Sequence, residues 1–80
     1  MDLSSLTEFL VKSLVTDEEN VSVKQFDDDD MVTIEVLVKS DDMGRVIGKS
    51  GMIAKSIRTI VQASGHLNGI EHVKVNIDSF

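Results

Sequence analysis

The apolar residues near the start of the chain recur at the spacing of an amphipathic helix. Leucine stands at positions 3, 6, 10 and 14, and Phe9 and Val11 widen the apolar stripe. Ser5 and Glu8 have the spacing of a capping box, which satisfies N–H groups at a helix start. The pattern therefore predicts a first helix over residues 4 to 15.

Alternating apolar positions predict three strands. Val21 and Val23 begin the first strand, and the four aspartates at positions 27–30 favour a turn after it. The second strand, over residues 31–38, is apolar at every second place and largely apolar on its other face, as is typical of the centre of a sheet. The third strand follows Gly69 and alternates Val73, Val75 and Ile77 with polar residues.

Between the second and third strands, the pattern predicts a short helix over residues 43–47 and a longer one after residue 51. Gly65 is expected to end the longer helix. The side predicted to face the core carries Ile53, Ile57, Ile60 and Val61. The opposite side carries Lys55, Arg58, Thr59 and Gln62.

The resulting order, α-β-β-α-α-β, predicts a single α+β domain over residues 1–80. The aspartate turn is short enough for an antiparallel hairpin, whereas two helices separate the second and third strands and allow a right-handed crossover between parallel neighbours. We expect a mixed three-stranded sheet with the three helices packed on one face.

The net charge of the chain conceals an uneven distribution. Its 80 residues include 14 acidic and 8 basic side chains, for a net charge of −6, which argues at first against a nucleic-acid partner. Residues 43–70, however, contain four basic residues, Arg45, Lys49, Lys55 and Arg58, and no acidic one. This segment carries +4 and the rest of the chain −10, so the total does not exclude contact with phosphates.

The loop Gly48-Lys49-Ser50-Gly51 lies in this basic segment, between two predicted helices. Glycine permits backbone angles that a Cβ forbids and lets another backbone approach closely. The loop also opens a helix, whose unpaired N–H groups and dipole attract phosphate. Neither the dinucleotide-binding pattern nor the P-loop pattern is present, and the loop does not follow a strand directly.

The run from Val46 to Gly51, Val-Ile-Gly-Lys-Ser-Gly, resembles the signature of the K-homology (KH) domain. In that family a G-x-x-G loop clamps about four nucleotides of single-stranded nucleic acid. The element order resembles the type II KH fold, and residues 41–59 resemble the KhpA family of small bacterial KH proteins. Ala54, where many KH domains have a larger aliphatic residue, and the absence of proline after the first helix are departures from the general pattern.

The resemblance implies an RNA-binding protein without enzymatic activity or cofactor. Gly48, Lys49, Ser50 and Gly51 would grip phosphates, and Val46 and Ile47 would line an apolar groove for bases. Arg45, Lys55 and Arg58 are candidates for RNA contact, although the sequence leaves open which of them face the groove. The three Phe residues all lie outside the basic segment, and Trp and Tyr are absent, which disfavours a stacking platform.

The resemblance also implies partners and a cellular role. Members are associated with dimers, with a larger KH-containing RNA-binding protein of the KhpB/Jag type, with post-transcriptional regulation and RNA chaperone activity, and with control of cell shape, elongation and division. Met52, Ile60 and Val61 are candidates for a dimer interface, with simple core packing as the alternative. A protein-interaction adaptor in which RNA contact is secondary is the second functional hypothesis.

The remaining patterns favour no other class of protein. The aspartate run lacks the alternating ligands, Gly turn and distal Glu of a calcium loop, and His66 and His72 have no Cys or helical His partner, so no metal site is expected. No catalytic constellation stands out. An export signal and a membrane span are not expected either, which favours a cytoplasmic location.

Overall fold

The structure, a computed structural model, describes residues 2–80 and has the predicted α+β architecture. Three short 3-10 turns, Glu18–Asn20, Ser40–Asp42 and Lys49–Gly51, connect its main elements. In chain order, those elements are α1 (Leu3–Lys12), β1 (Ser22–Asp28), β2 (Met31–Val38), α2 (Met43–Ile47), α3 (Met52–Leu67) and β3 (His72–Ser79). Within the described residues, no helix is long and apolar enough to cross a membrane.

The sheet has the order β1-β2-β3, which confirms that β2 is central. β1 pairs with β2 in antiparallel orientation and β3 pairs with β2 in parallel, so Ile34 lies between Gln25 and Val75. The aspartate run differs from the expectation, because Asp28 already pairs with Met31. Only the last two aspartates form the turn, and the first two extend β1.

The core lies between the helices and one face of the sheet. Alternate side chains of β2, together with Val73 and Val75 of β3, are buried on this face. Val11 of α1 and Ile57 of α3 belong to the same cluster. The period-two pattern of residues 32–38 therefore identifies the buried face of the central strand correctly.

Helix α1 begins and ends earlier than predicted. The Asp2 carboxylate accepts a hydrogen bond from the Ser5 N–H at 2.7 Å, so Asp2 rather than Ser5 caps the helix. Its buried face carries Leu3, Thr7 and Val11, whereas the side chain of Phe9 is 62% exposed. The apolar stripe is thus narrower than the sequence indicates.

Helix α3 is longer than predicted, and a different set of its residues faces the core. Its fully packed face carries Ala54, Ile57, Val61 and Gly65, while Ile60 is 46% exposed. The expectation that Gly65 ends the helix is wrong, because α3 continues to Leu67. Glycine is present at position 65 because the helix packs closely there, and the left-handed residue after the helix is Gly69, with φ of +81°.

Candidate nucleic-acid interface

The loop between α2 and α3 has a left-handed backbone at three of its four residues. The angle φ is +75° at Gly48, +56° at Ser50 and +74° at Gly51. Glycine adopts such angles readily, whereas a residue with a Cβ rarely does. Lys49 and Ser50 lie exposed at the tip. The predicted loop residues therefore form one projecting turn.

Gly48 also allows the loop to lie directly against α3. A Cβ on Gly48 would be only 2.6 Å from Cγ1 of Ile53, in the first turn of that helix. A Cβ on Gly51 would meet nothing within 4 Å. Gly48 is therefore required both for its backbone angle and for close packing, and Gly51 for its angle alone.

The start of α3 has no side-chain cap within residues 2–80, because the preceding residue is Gly51. The first N–H groups of a helix lack acceptors in the helix itself and carry the positive end of its dipole. The first turn of α3 contains no acidic residue. An anion beside the loop would meet this helix end and the ammonium group of Lys49 together.

The basic side chains of residues 43–70 differ in whether other groups of the protein already pair with them. Arg45 lies 3.6 Å from the Asp42 carboxylate and donates a hydrogen bond to the Asp41 carbonyl oxygen at 3.4 Å. Lys49 and Lys55 are exposed, and within residues 2–80 neither forms an ion pair. The two lysines are therefore the most available charges for a phosphate.

Arg58 and Gln62 attach α3 to the outer edge of β3. The Arg58 Nε donates to the carbonyl oxygen of Val75 at 3.4 Å, and the Gln62 Nε2 donates to that of Val73 at 3.1 Å. Both side chains are half-buried, whereas Lys55 and Thr59 are exposed, so only part of the side predicted to lie opposite the core reaches the sheet. The spacing of four residues placed Arg58 and Gln62 on one helix face, but the sequence does not reveal that β3 lies beside it.

An open cleft of about 520 Å³ adjoins Arg58. Residues 35–37 of β2, Arg58, and residues 75–78 of β3 line it. The cleft thus combines one guanidinium group with the backbone of two neighbouring strands. Its side chains include the carboxylates of Glu35 and Asp78, which disfavour a phosphate in the cleft itself.

The apolar residues before the loop do not lie as expected. Val46 is fully buried in the core, so its side chain cannot line a groove. Its position four residues after the buried Asp42 places it on the inner side of the short α2 helix. Ile47 is half-buried and retains some exposed surface beside Gly48. Of the two predicted groove residues, only Ile47 is accessible.

The three candidate dimer residues also differ in exposure, because two are exposed and one is buried. Met52 is 66% exposed and Ile60 is 46% exposed, eight residues apart on α3. Val61, by contrast, is fully buried in the core cluster and cannot contribute to an exposed patch. Leu67, at the end of the same helix, is more exposed than any of them, a feature that the sequence reasoning missed.

The buried carboxylate of Asp42 anchors the residues just before α2 to the segment that follows α1. Asp42 accepts hydrogen bonds from the Thr16 N–H at 3.0 Å, the Thr16 hydroxyl at 2.9 Å and the Asp17 N–H at 3.3 Å. These bonds, led by the Thr16 N–H, hold the pKa of Asp42 below its usual range. Asp42 directly precedes α2 but makes no side-chain cap hydrogen bond to that helix, and its carboxylate instead ties α2 to the segment after α1.

Comparison with known sequences places the chain among KH domains. The family model for the "KhpA/KhpB, KH domain" matches residues 4–77. RNA-binding protein KhpA of Clostridium perfringens is 44% identical over 62 residues, which cover 78% of this chain and 83% of that protein. RNA-binding protein KhpA of Listeria monocytogenes is 48% identical over 59 residues, which cover 74% of this chain and 78% of that protein.

Solved structures of Era have the same fold over nearly the whole chain. The Aquifex aeolicus Era variant Y63A bound to GDP and aluminium fluoride aligns with a TM-score of 0.68 at 18% identity. Era in complex with MgGDPNP and a segment of 16S ribosomal RNA aligns with a TM-score of 0.69 at 16% identity. Each alignment covers 98% of this chain and 30% of the Era chain, and at this identity it concerns the fold alone.

Proposed function

The chain belongs to the KhpA/KhpB family of KH domains, and from this membership we propose that it binds single-stranded RNA through the loop Gly48–Gly51. Relatives from C. perfringens and L. monocytogenes are named as RNA-binding proteins. In keeping with this family, the chain is a binding module and not an enzyme.

The observation that carries the proposal is the geometry of the loop. Its tip residues, Lys49 and Ser50, project beside an uncapped helix start, and no acidic side chain occurs in residues 43–70. A phosphate there gains an ammonium group, a hydroxyl and helix N–H groups without like-charge repulsion from that segment. Successive phosphates of a flexible single strand can follow the turn, whereas a rigid duplex would contact it at fewer points.

The accessible side chains suggest separate roles around the loop. Lys49 and Lys55 contact the RNA backbone, and Arg45 contributes less because Asp42 partly neutralises it. Arg58 lies at the edge of β3, where bases would meet its guanidinium group and strand backbone. Ile47 provides aliphatic surface next to the loop, in place of an aromatic stacking platform.

The biological setting is also a proposal. We place the chain in the bacterial cytoplasm, in post-transcriptional regulation that includes RNA chaperone activity and affects cell shape, elongation and division. This rests on the resemblance of residues 41–59 to KhpA proteins.

A second function, as a protein-interaction adaptor, is favoured by the exposed apolar side chains of α3. Met52 directly follows the loop, and Ile60 lies two turns later. A second copy of this chain, or a larger KH-containing protein of the KhpB/Jag type, would cover these side chains and exclude water from them. In that case RNA contact would be secondary to assembly.

The decisive experiment replaces both residues of the loop tip with aspartate. Asp tolerates left-handed backbone at position 50, so Lys49→Asp/Ser50→Asp reverses the charge of the tip with little strain. We expect binding of a short single-stranded RNA at low salt to be lost, with the circular dichroism spectrum unchanged. Lys74→Asp, on the open face of β3, is the matched control and should retain binding.

The proposal fails if the folded double variant binds RNA as tightly as the unchanged chain. The adaptor function is measured separately, by sedimentation of the same variant. Loss of RNA binding with unchanged association would separate the two activities.

A further inference from the structure

Three metal-ligating side chains meet at the end of the sheet where β3 begins. Asp30 lies in the β1–β2 turn, Glu71 precedes β3, and His72 is the first residue of β3. A carboxylate oxygen of Asp30, a carboxylate oxygen of Glu71 and a ring nitrogen of His72 all lie within 4.8 Å of one another. All three side chains are exposed.

The parallel pairing of β2 and β3 brings these residues together. Met31 pairs with His72, and the His72 N–H donates to the Asp30 carbonyl oxygen at 3.3 Å. The turn before β2 and the loop before β3 therefore meet at the same end of the strand pair. The cluster lies beyond the C-terminal end of α3, whereas the loop Gly48–Gly51 precedes that helix.

The charges of the cluster are not compensated by the protein. Within residues 2–80, neither Asp30 nor Glu71 forms an ion pair with a basic side chain. An adjoining open cleft of about 480 Å³ is lined in part by Asp27, Asp29, Asp30 and Glu71. Like charges this close repel one another, and a cation among them would relieve that repulsion.

We propose that Asp30, Glu71 and His72 bind a divalent transition-metal ion of the zinc and manganese class. The imidazole distinguishes this cluster from an ordinary acidic surface, because Zn²⁺ and Mn²⁺ accept nitrogen and carboxylate ligands together, whereas Mg²⁺ and Ca²⁺ prefer oxygen. Three protein ligands leave positions for water. The bound ion would join the β1–β2 turn to the start of β3 and stabilise this end of the sheet.

The chain offers a matched pair of histidines for the test. His66 is also exposed, but it lies on α3 outside the cluster. ZnCl₂ is titrated into the untagged chain by calorimetry at pH 7.5, with His72→Ala, Glu71→Gln and His66→Ala in parallel. We expect one ion per chain, affinity lowered about tenfold or more by His72→Ala and by Glu71→Gln, and no change for His66→Ala.

Manganese supplies a readout that needs no variant. Substoichiometric MnCl₂ should broaden the NMR signals of residues 30, 71 and 72 most strongly and those of the loop Gly48–Gly51, before the other end of α3, least.

Three results would overturn the proposal. They are the absence of saturable Zn²⁺ binding, equal effects of the two histidine substitutions, and Mn²⁺ broadening spread over residues 27–30 without His72. The last would identify general attraction of cations to the aspartates.

Discussion

Gly65 of α3 lies so close to Val73 of β3 that a Cβ on Gly65 would be 2.5 Å from Cγ2 of Val73. The same Cβ would be 3.5 Å from Cδ1 of Leu3 in α1. The helix thus approaches the sheet with its bare backbone at this point. This close approach sets the distance at which Gln62 and Arg58, on the preceding turns, reach the carbonyl groups of β3.

Replacing Gly65 with alanine should destabilise the domain. Overlap with Val73 costs typically about 1–3 kcal/mol in a packed core, and the better helix propensity of alanine returns roughly 1 kcal/mol. The control is Gly44→Ala in α2, where a Cβ meets nothing within 4 Å and should be neutral or stabilising. Urea unfolding measures both variants. Equal stability of the two would mean that Val73 moves aside without cost.

The two loop glycines should respond differently to alanine. At Gly51 the backbone is left-handed helical, where a Cβ costs roughly 1–2 kcal/mol. Gly48, with φ of 75° and ψ of 174°, has a backbone open essentially only to glycine, and there a Cβ would also overlap Ile53. We therefore expect Gly48→Ala to lower thermal stability and RNA affinity more than Gly51→Ala does. The thermal midpoint and a fluorescence-anisotropy titration measure the two effects. A larger loss for Gly51→Ala would contradict the combined backbone and packing roles of Gly48.

Acid should weaken the attachment that Asp42 makes to Thr16. The Thr16 N–H holds the pKa of Asp42 below its usual value, so on acidification the unfolded chain takes up the proton first. The contribution of Asp42 to stability is therefore complete well above pH 4 and is lost as the pH falls below about 4. Asp42→Asn should be less stable than the unchanged chain at pH 7.

The test for Asp42 is the difference between the two unfolding free energies as a function of pH. This difference should shrink as the pH falls from 5 to about 2.5. Hydrogen bonds also lower the pKa of Asp2, and that effect is common to the two proteins and cancels. The pKa of Asp17 is lowered mainly by the hydrogen bond from Asn20, and only the smaller opposing effect of the Asp42 charge differs between the two proteins. A difference that stays constant with pH would refute the assignment.

Substitutions on α3 should separate association from folding. Met52→Asp and Ile60→Asp place a charge on exposed apolar positions and should shift a dimer toward the monomer in sedimentation. Val61→Asp should instead unfold the domain, because a carboxylate would enter the core. Phe80→Asp, at an exposed position after β3, is the control. An unchanged mass for both α3 variants would exclude this surface.

RNA affinity should depend on salt only moderately. Each phosphate contact to a single strand contributes a slope of about −0.7 to the dependence of log K on log salt. Two or three contacts, from Lys49, Lys55 and the partly neutralised Arg45, give an expected slope of about −1.4 to −2.1. Lys49→Gln should make the slope about 0.7 shallower, whereas Lys74→Gln should leave it unchanged. A slope near zero would indicate contacts other than phosphate.

The strands of this fold were more predictable than the orientation of its helices. Val32, Ile34, Val36 and Val38 alternate with period two, and this local pattern determines which face of β2 is buried. The position of β2 in the sheet followed from the apolar character of its second face. Both signals lie within eight consecutive residues, so no knowledge of distant partners was needed.

The face of α3 that is buried depends on tertiary contacts, which the spacing of apolar residues in the sequence does not reveal. Ile53, Ile57, Ile60 and Val61 span a wide arc, and packing against β3 selects which part of it is buried. The small residues Ala54 and Gly65 lie on the buried face because the helix is close to the sheet there, but they contribute little to an apolar pattern.

The candidate site was predicted in part. The loop residues 48–51 were identified from glycine spacing and a resemblance, and the structure brings them together as an exposed turn. The burial of Val46 and the attachment of Asp42 to Thr16 could not be derived, because each depends on residues distant in sequence.

The side chains of Arg58 and Gln62 have a consequence for how copies of this chain behave at high concentration. An exposed strand edge invites pairing with a strand from another molecule, which is a common route to aggregation. Here Arg58 and Gln62 occupy two carbonyl groups on the outer edge of β3, and Asp27 and Asp28 give the end of β1 charges that repel their equivalents on another copy. Strand addition from another copy is thereby hindered at the middle of β3 and at the end of β1.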